Sequence, residues 1–141
     1  MTWWYLPACI LLAWMGSHVI KEIVHVYRTG SFSWYTLLFE TGGMPSSHSA
    51  AVSAITIGVL MQEGVGALFW ACFVFSAIVI RDASGVRKSV SDQALILNSL
   101  LAAQNVEEKV EIVLGHTPVQ VAAGIALGIG VATGLWFGMI V

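Results

Sequence analysis

Four apolar runs of near-bilayer length constrain this chain more than anything else in it. They are roughly Trp3 to Ile20, Ser47 to Met61, Val65 to Ile80 and Val119 to Val141. A helix needs about 20 mostly apolar residues to cross the hydrocarbon core. The second and third runs are short against that measure. Charge agrees with a lipid solvent: 10% of the 141 residues are charged and 57% are hydrophobic, where soluble domains carry about 25% charged residues. The chain therefore reads as one domain, residues 1–141. The expected fold is all-α: an integral membrane helical bundle of about four transmembrane helices plus one or two interfacial or re-entrant helices. The first run lacks a basic leader and continues into Lys21-Glu22 without a small-residue cleavage site, so it reads as a span rather than a cleavable signal peptide. Cys9 and Cys72 lie inside apolar runs with no metal or disulfide spacing, and read as small buried hydrophobes.

Punctuation along the chain sets the helix limits. The first helix is expected to outrun the membrane to about Arg28 and to stop at Thr29-Gly30-Ser31. Phe32 to Glu40 reads as an interfacial or re-entrant piece. Gly42-Gly43 breaks the chain, and Pro45 is expected to sit in the first turn of the next helix, where its missing N–H is no loss. A tight turn near Gln62 to Val65 joins the second and third runs. Arg81 to Lys88 reads as a polar loop. Ser89 or Ser91 then caps a helix to about Asn105, too short in apolar length to span, which suits an interfacial or bundle-packed position. His116-Thr117-Pro118 opens the last span.

If all four runs cross, the Lys21–His48 and Arg81–His116 regions fall on one membrane face. Every basic residue (Lys21, Arg28, Arg81, Arg87, Lys88, Lys109) lies on that face with the dense polar clusters. The positive-inside rule makes it cytoplasmic.

Four constellations on that face carry chemistry. In "GGMPSSHSA" a helix opens at Pro45, and its unpaired N–H groups and macrodipole suit an anion. Ser46 and Ser47 add hydroxyl donors, and His48 in the first turn suits proton donation to a leaving oxygen. "LGHTPVQVAAG" repeats the design, with His116 at a helix mouth and Gln120 four residues later, on the same face if the turn includes His116. In "KEIVHVYR", Lys21, His25 and Arg28 recur at i, i+4 and i+7 and line one helix face. They either snorkel to headgroups or clamp a phosphate. In "RDASGVRK", Asp82, Arg87 and Lys88 surround Ser84-Gly85, as a solvated loop or as further phosphate ligands. His18 carries no motif and reads as a packing or hydrogen-bonding residue.

These residues resemble the type-2 phosphatidic-acid phosphatase superfamily, which includes the vanadium-dependent haloperoxidases. Lys21 to Arg28 is similar to the K-x-x-x-x-x-x-R part of its first motif. Pro45-Ser46-Ser47-His48 resembles the second, P-S-G-H, and His116 with Gln120 resembles the end of the third, H-x-x-x-D. "GGMPSSHSA", "DASGVRK", "QALILN" and "LGHTP" together resemble the small divergent membrane branch, over about Lys21 to Gly128. The resemblance implies metal-independent phosphoryl transfer with no cofactor. His116 would be the nucleophile and His48 the general acid. Lys21, Arg28, Arg87 and Lys88, with Ser46 and Ser47, would hold the phosphoryl oxygens. Three positions depart from the pattern: Thr29 replaces a proline, Val110 stands where an arginine is expected, and Gln120 replaces the orienting aspartate. A glutamine can hold an imidazole tautomer but adds no charge, and Asp82 could supply the missing carboxylate if the fold brings it close.

The implied activity is hydrolysis of a lipid or polyprenyl phosphate or pyrophosphate through a phosphohistidine. The alternative is a non-catalytic lipid-phosphate or anion-binding membrane protein with a scaffold or transport role. Membrane lipids and a lipid-phosphate substrate are the expected partners; no nucleic acid is expected. Gly124/Gly128 and Gly130/Gly134/Gly138 in the last run permit close helix approach. Packing within the chain is favoured over a homodimer seam there. A metal site of His48, His116, Asp82 and Glu40 is disfavoured, since no pair has a recognised ligand spacing on one element.

Overall fold

The structure, a computed structural model, describes residues 3–34, 37, 43–110 and 115–140, with nothing said of the side chains at 87 and 140. Glu40, Gly42 and most of the expected re-entrant piece lie outside the described residues. The α-helices whose bounds lie within the described residues are, in order, α1 Tyr5–Thr29, α2 Ser47–Glu63, α3 Ala67–Arg81, α4 Arg87–Ala103 and α5 Pro118–Ile140. Among the described residues every regular element is helical, as the sequence predicts. Among the described residues, three stretches are long and apolar enough to cross a membrane: Tyr5–Thr29, Ala67–Ala103 and Pro118–Met139.

α2 has 17 residues and forms the packed centre of the bundle, against α1, α3 and α5. Its buried positions are mostly Ser, Ala, Thr and Gly. Small side chains let neighbouring backbones approach closely, which is how helices associate where lipid removes the usual hydrophobic drive. α5 runs parallel to α2: Gly124 lies against the Ser46 carbonyl and Gly128 against the Ala50 carbonyl and the Ala54 nitrogen. α1 runs antiparallel to both. Its Tyr5 hydroxyl donates to the Ala132 carbonyl at 2.9 Å, and Leu6 and Cys9 face Gly58 of α2. Tyr5, Cys9, Ala13, Ala50, Ala54 and Ala132 form the core. Thr56 and Ser76 tie α2 to α3 through hydroxyls 2.7 Å apart: one donates to the other, and the second donates to the Val52 carbonyl, which lies within reach of both.

The helix ends follow local chemistry. Gly30 closes α1 at φ 71°, donating to the Val26 carbonyl. The second helix starts at Ser47, two residues later than expected. Ser46 is its N-cap and Pro45 precedes the cap, because the Ser46 hydroxyl oxygen takes the Ser49 N–H. Pro118 does occupy the first helical position of α5.

Arg81 to Lys88 is not a loop. A π-turn, Asp82–Val86, joins α3 to α4 in one helical rod from Ala67 to Ala103. Ser84 and Ser89 donate back to the Ile80 and Gly85 carbonyls, so their hydroxyls support helical backbone instead of capping a new start. α4 accordingly has Val86 in helical conformation at its N-cap, with no side-chain cap. It ends near the expected point. Asn105 adopts φ 56°, and Asn105 and Val106 donate to the Ala102 and Leu101 carbonyls, the pattern of a Schellman stop.

Candidate functional site

The C-terminal half of α1, the N-terminus of α2, the π-turn and the N-terminus of α5 meet at one end of the bundle. Two backbone bonds fix this. The Ser46 N–H donates to the Gln120 carbonyl at 3.0 Å, and the His116 N–H donates to the Ala83 carbonyl at 3.1 Å. The two proline-flanked helix openings read in the sequence are thus neighbours, and their positive dipole ends converge.

Thr117 and Gln120 form a reciprocal capping box at the start of α5. The Thr117 N–H donates to the Gln120 Oε1 at 2.8 Å, and the Gln120 N–H to the Thr117 hydroxyl at 3.4 Å. This is the T-x-x-Q form of the motif, which satisfies two of the helix's orphan donors. It places His116 just outside the helix. The side-chain oxygen of Gln120, read from sequence as the group that would orient the imidazole, is held by the Thr117 amide.

A cleft of about 290 Å³ opens beside this junction. Lys21, His25 and Arg28 line it from α1, Gly43 and Met44 from the segment before α2, and Thr117 and Gln120 from α5. The i, i+4, i+7 face of "KEIVHVYR" therefore looks into a cavity instead of along the lipid surface. Lys21 is almost fully buried. Gly43 covers its stem at φ 82°, a conformation that L side chains rarely adopt. A cleft walled by cations and flanked by two helix N-termini suits an anion with several oxygens.

None of the other predicted residues whose side chains are described lines this cleft. His116 is buried, 2% exposed, between the π-turn and α5. Asp82 adjoins Ala83, so it belongs to the same junction. Ser46 and Ser47 are buried, and the Ser46 hydroxyl is engaged with Ser49 at 3.0 Å. His48 is on the second residue of α2 with its side chain exposed, and Lys88 is exposed on the first turn of α4. Neither lines the cleft, and the Arg87 side chain lies outside the description. His18 is buried with its ring against Trp14, centroids 4.6 Å apart, which fits its packing assignment. Thr117 was not anticipated as a cleft residue, although the T-P-V-Q spelling of the capping box carries the signal. Among the described residues, no three His, Cys, Asp or Glu side chains gather closely enough to hold a metal ion.

Comparison with known proteins bears on the family. A family described as "Divergent PAP2 family" matches residues 5–131. The uncharacterized membrane protein YuiD of Bacillus subtilis (strain 168) is 34% identical over 136 residues, covering 84% of this chain and 85% of that protein. No solved structure matches. With apolar helices of spanning length among the described residues and the family match across most of its length, the chain is a membrane protein that belongs to the divergent PAP2 family.

Proposed function

We propose that this protein is a membrane-embedded phosphatase that hydrolyses a lipid or polyprenyl phosphate or pyrophosphate. The observation that carries the reading is the Lys21–His25–Arg28 cleft at the paired N-termini of α2 and α5. Phosphoryl transfer depends on placing the group in line and stabilising the charge on its oxygens. Lys21 and Arg28 hold those oxygens, with helix amides and the Ser47 hydroxyl near them. Arg87 and Lys88, on the first turn of α4, are the outer cations. A His116 ring nitrogen attacks phosphorus, the bond from phosphorus to the leaving oxygen breaks, and His48 delivers a proton to that oxygen. Water then attacks the phosphohistidine and gives a proton to His48, releasing phosphate and restoring both histidines. Asp82, one residue from the carbonyl that binds the His116 amide, supports the positive charge that the ring acquires. The basic face of the bundle is cytoplasmic.

A second reading rests on one observation. Gln120 offers no charge, and its oxygen serves the Thr117 amide. A site so built also suits a non-catalytic binder of lipid phosphates. Phosphate release by detergent-purified protein separates the two, using a panel of lipid and polyprenyl phosphates with EDTA present and vanadate as inhibitor. The enzyme reading expects EDTA-insensitive, vanadate-sensitive release that is lost in His116→Ala. No release from any substrate, with lipid-phosphate binding retained, favours the binder. Release abolished by EDTA contradicts the metal-independent route.

A further inference from the structure

α4 is exposed over most of its surface, Leu95 at 48% included. Ser91 and Ala94 are buried on its inner side, and the Asn98 amide there holds the returning chain, with Asn98 Nδ2 donating to the Val110 carbonyl at 2.9 Å and the Val110 N–H donating to Asn98 Oδ1 at 2.8 Å. The outer side carries Val90, Gln93, Leu97 and Leu100, and the spacing continues to Gln104 just past the helix end. Val90, Leu97 and Leu100 are 49%, 44% and 57% exposed, and Ile96 flanks them at 63%. The steps of three, four, three and four residues are those of a left-handed helix–helix seam.

We infer that this stripe is a pairing surface for the α4 of a second copy of the chain. Two observations and one symmetry rule select that occupant. The rod from Ala67 to Ala103 has 37 residues, or about 55 Å at 1.5 Å per residue, against a hydrocarbon core of about 30 Å. α4 forms its outer end, so acyl chains do not cover all of the stripe. Two copies inserted with the same orientation pair about an axis normal to the membrane, which makes their α4 helices parallel and in register. Each residue then meets its own counterpart, and Gln93 and Gln104 are self-complementary: an amide both donates and accepts, so each glutamine satisfies its twin and fixes the register. Membrane anchoring raises the effective concentration, which lets a seam of two heptads pair where a free peptide would not. In α5, by contrast, Gly124 and Gly128 are already occupied by α2 of the same chain.

Cysteine cross-linking of the full chain in membranes tests this, in a Cys72→Ser background with the buried Cys9 retained. Oxidation is expected to link Leu97→Cys and Leu100→Cys into dimers and to leave Leu95→Cys, on the far side of the helix, monomeric. Leu97→Glu is expected to abolish the dimer in native electrophoresis with helix content unchanged by circular dichroism. The inference is overturned if Leu97→Cys reacts fully with aqueous maleimide yet never cross-links. It is equally overturned if Leu97→Cys stays monomeric and shielded while brominated lipids quench a tryptophan at the same position (Leu97→Trp), which assigns the stripe to the bilayer surface.

Discussion

Gln120 stands at the meeting of stability and chemistry. Its side chain lines the cation cleft and its oxygen closes the capping box of α5. These roles come apart under substitution. Thr117→Ala removes the cap and is expected to lower stability by about 1 kcal/mol, read as a lower unfolding temperature in detergent. Gln120→Glu keeps a capping acceptor but puts a carboxylate beside Lys21 and Arg28. Its stability should hold while its affinity for a lipid phosphate falls about tenfold, ~1.4 kcal/mol, by titration calorimetry. Equal affinity in wild type and Gln120→Glu would place the phosphate elsewhere. Gly128 belongs to the same scale. A Cβ there meets the Ala50 carbonyl, with the Ala54 nitrogen at 2.8 Å, and backbone has little room to yield. Gly128→Ala should cost about 1–3 kcal/mol, whereas Gly134→Ala, which meets open space, should cost little.

At the scale of elements, the helices were legible because apolar length and end signals are local. Gly30 stops α1, Pro118 starts α5 and Asn105 ends α4, all near the positions that composition predicts. The polar Arg81–Lys88 stretch misleads for an equally local reason. Charge and glycine suggest a loop, but Ser84 and Ser89 bond back to helix carbonyls, and the π-turn keeps the rod unbroken. What the sequence hides is the pairing across elements. Nothing in "DASGV" announces that the Ala83 carbonyl receives the His116 amide. That bond has a consequence: Asp82→Asn should lower kcat by about 10²-fold or more with KM little changed, if its charge supports the imidazolium as in other histidine-centred sites. A loss confined to KM would make Asp82 a binding residue instead.

On the scale of the whole molecule, α2 organises everything. Its small residues let α1, α3 and α5 close around it, and that closure brings the α1 cations to the N-termini of α2 and α5. The basic end then faces one side of the membrane. Lys88→Cys, exposed on α4, is expected to react with an impermeant maleimide only in inverted vesicles; labelling of intact cells would reverse the orientation. The central claim is that His116 carries the phosphoryl group. It is tested most directly by quenching turnover in alkali, where phosphohistidine survives, and mapping the modification by mass spectrometry. The account predicts phosphate on His116 during turnover, and neither modification nor phosphate release in His116→Ala. Sustained turnover with His116 never modified, and undiminished in His116→Ala, would contradict it.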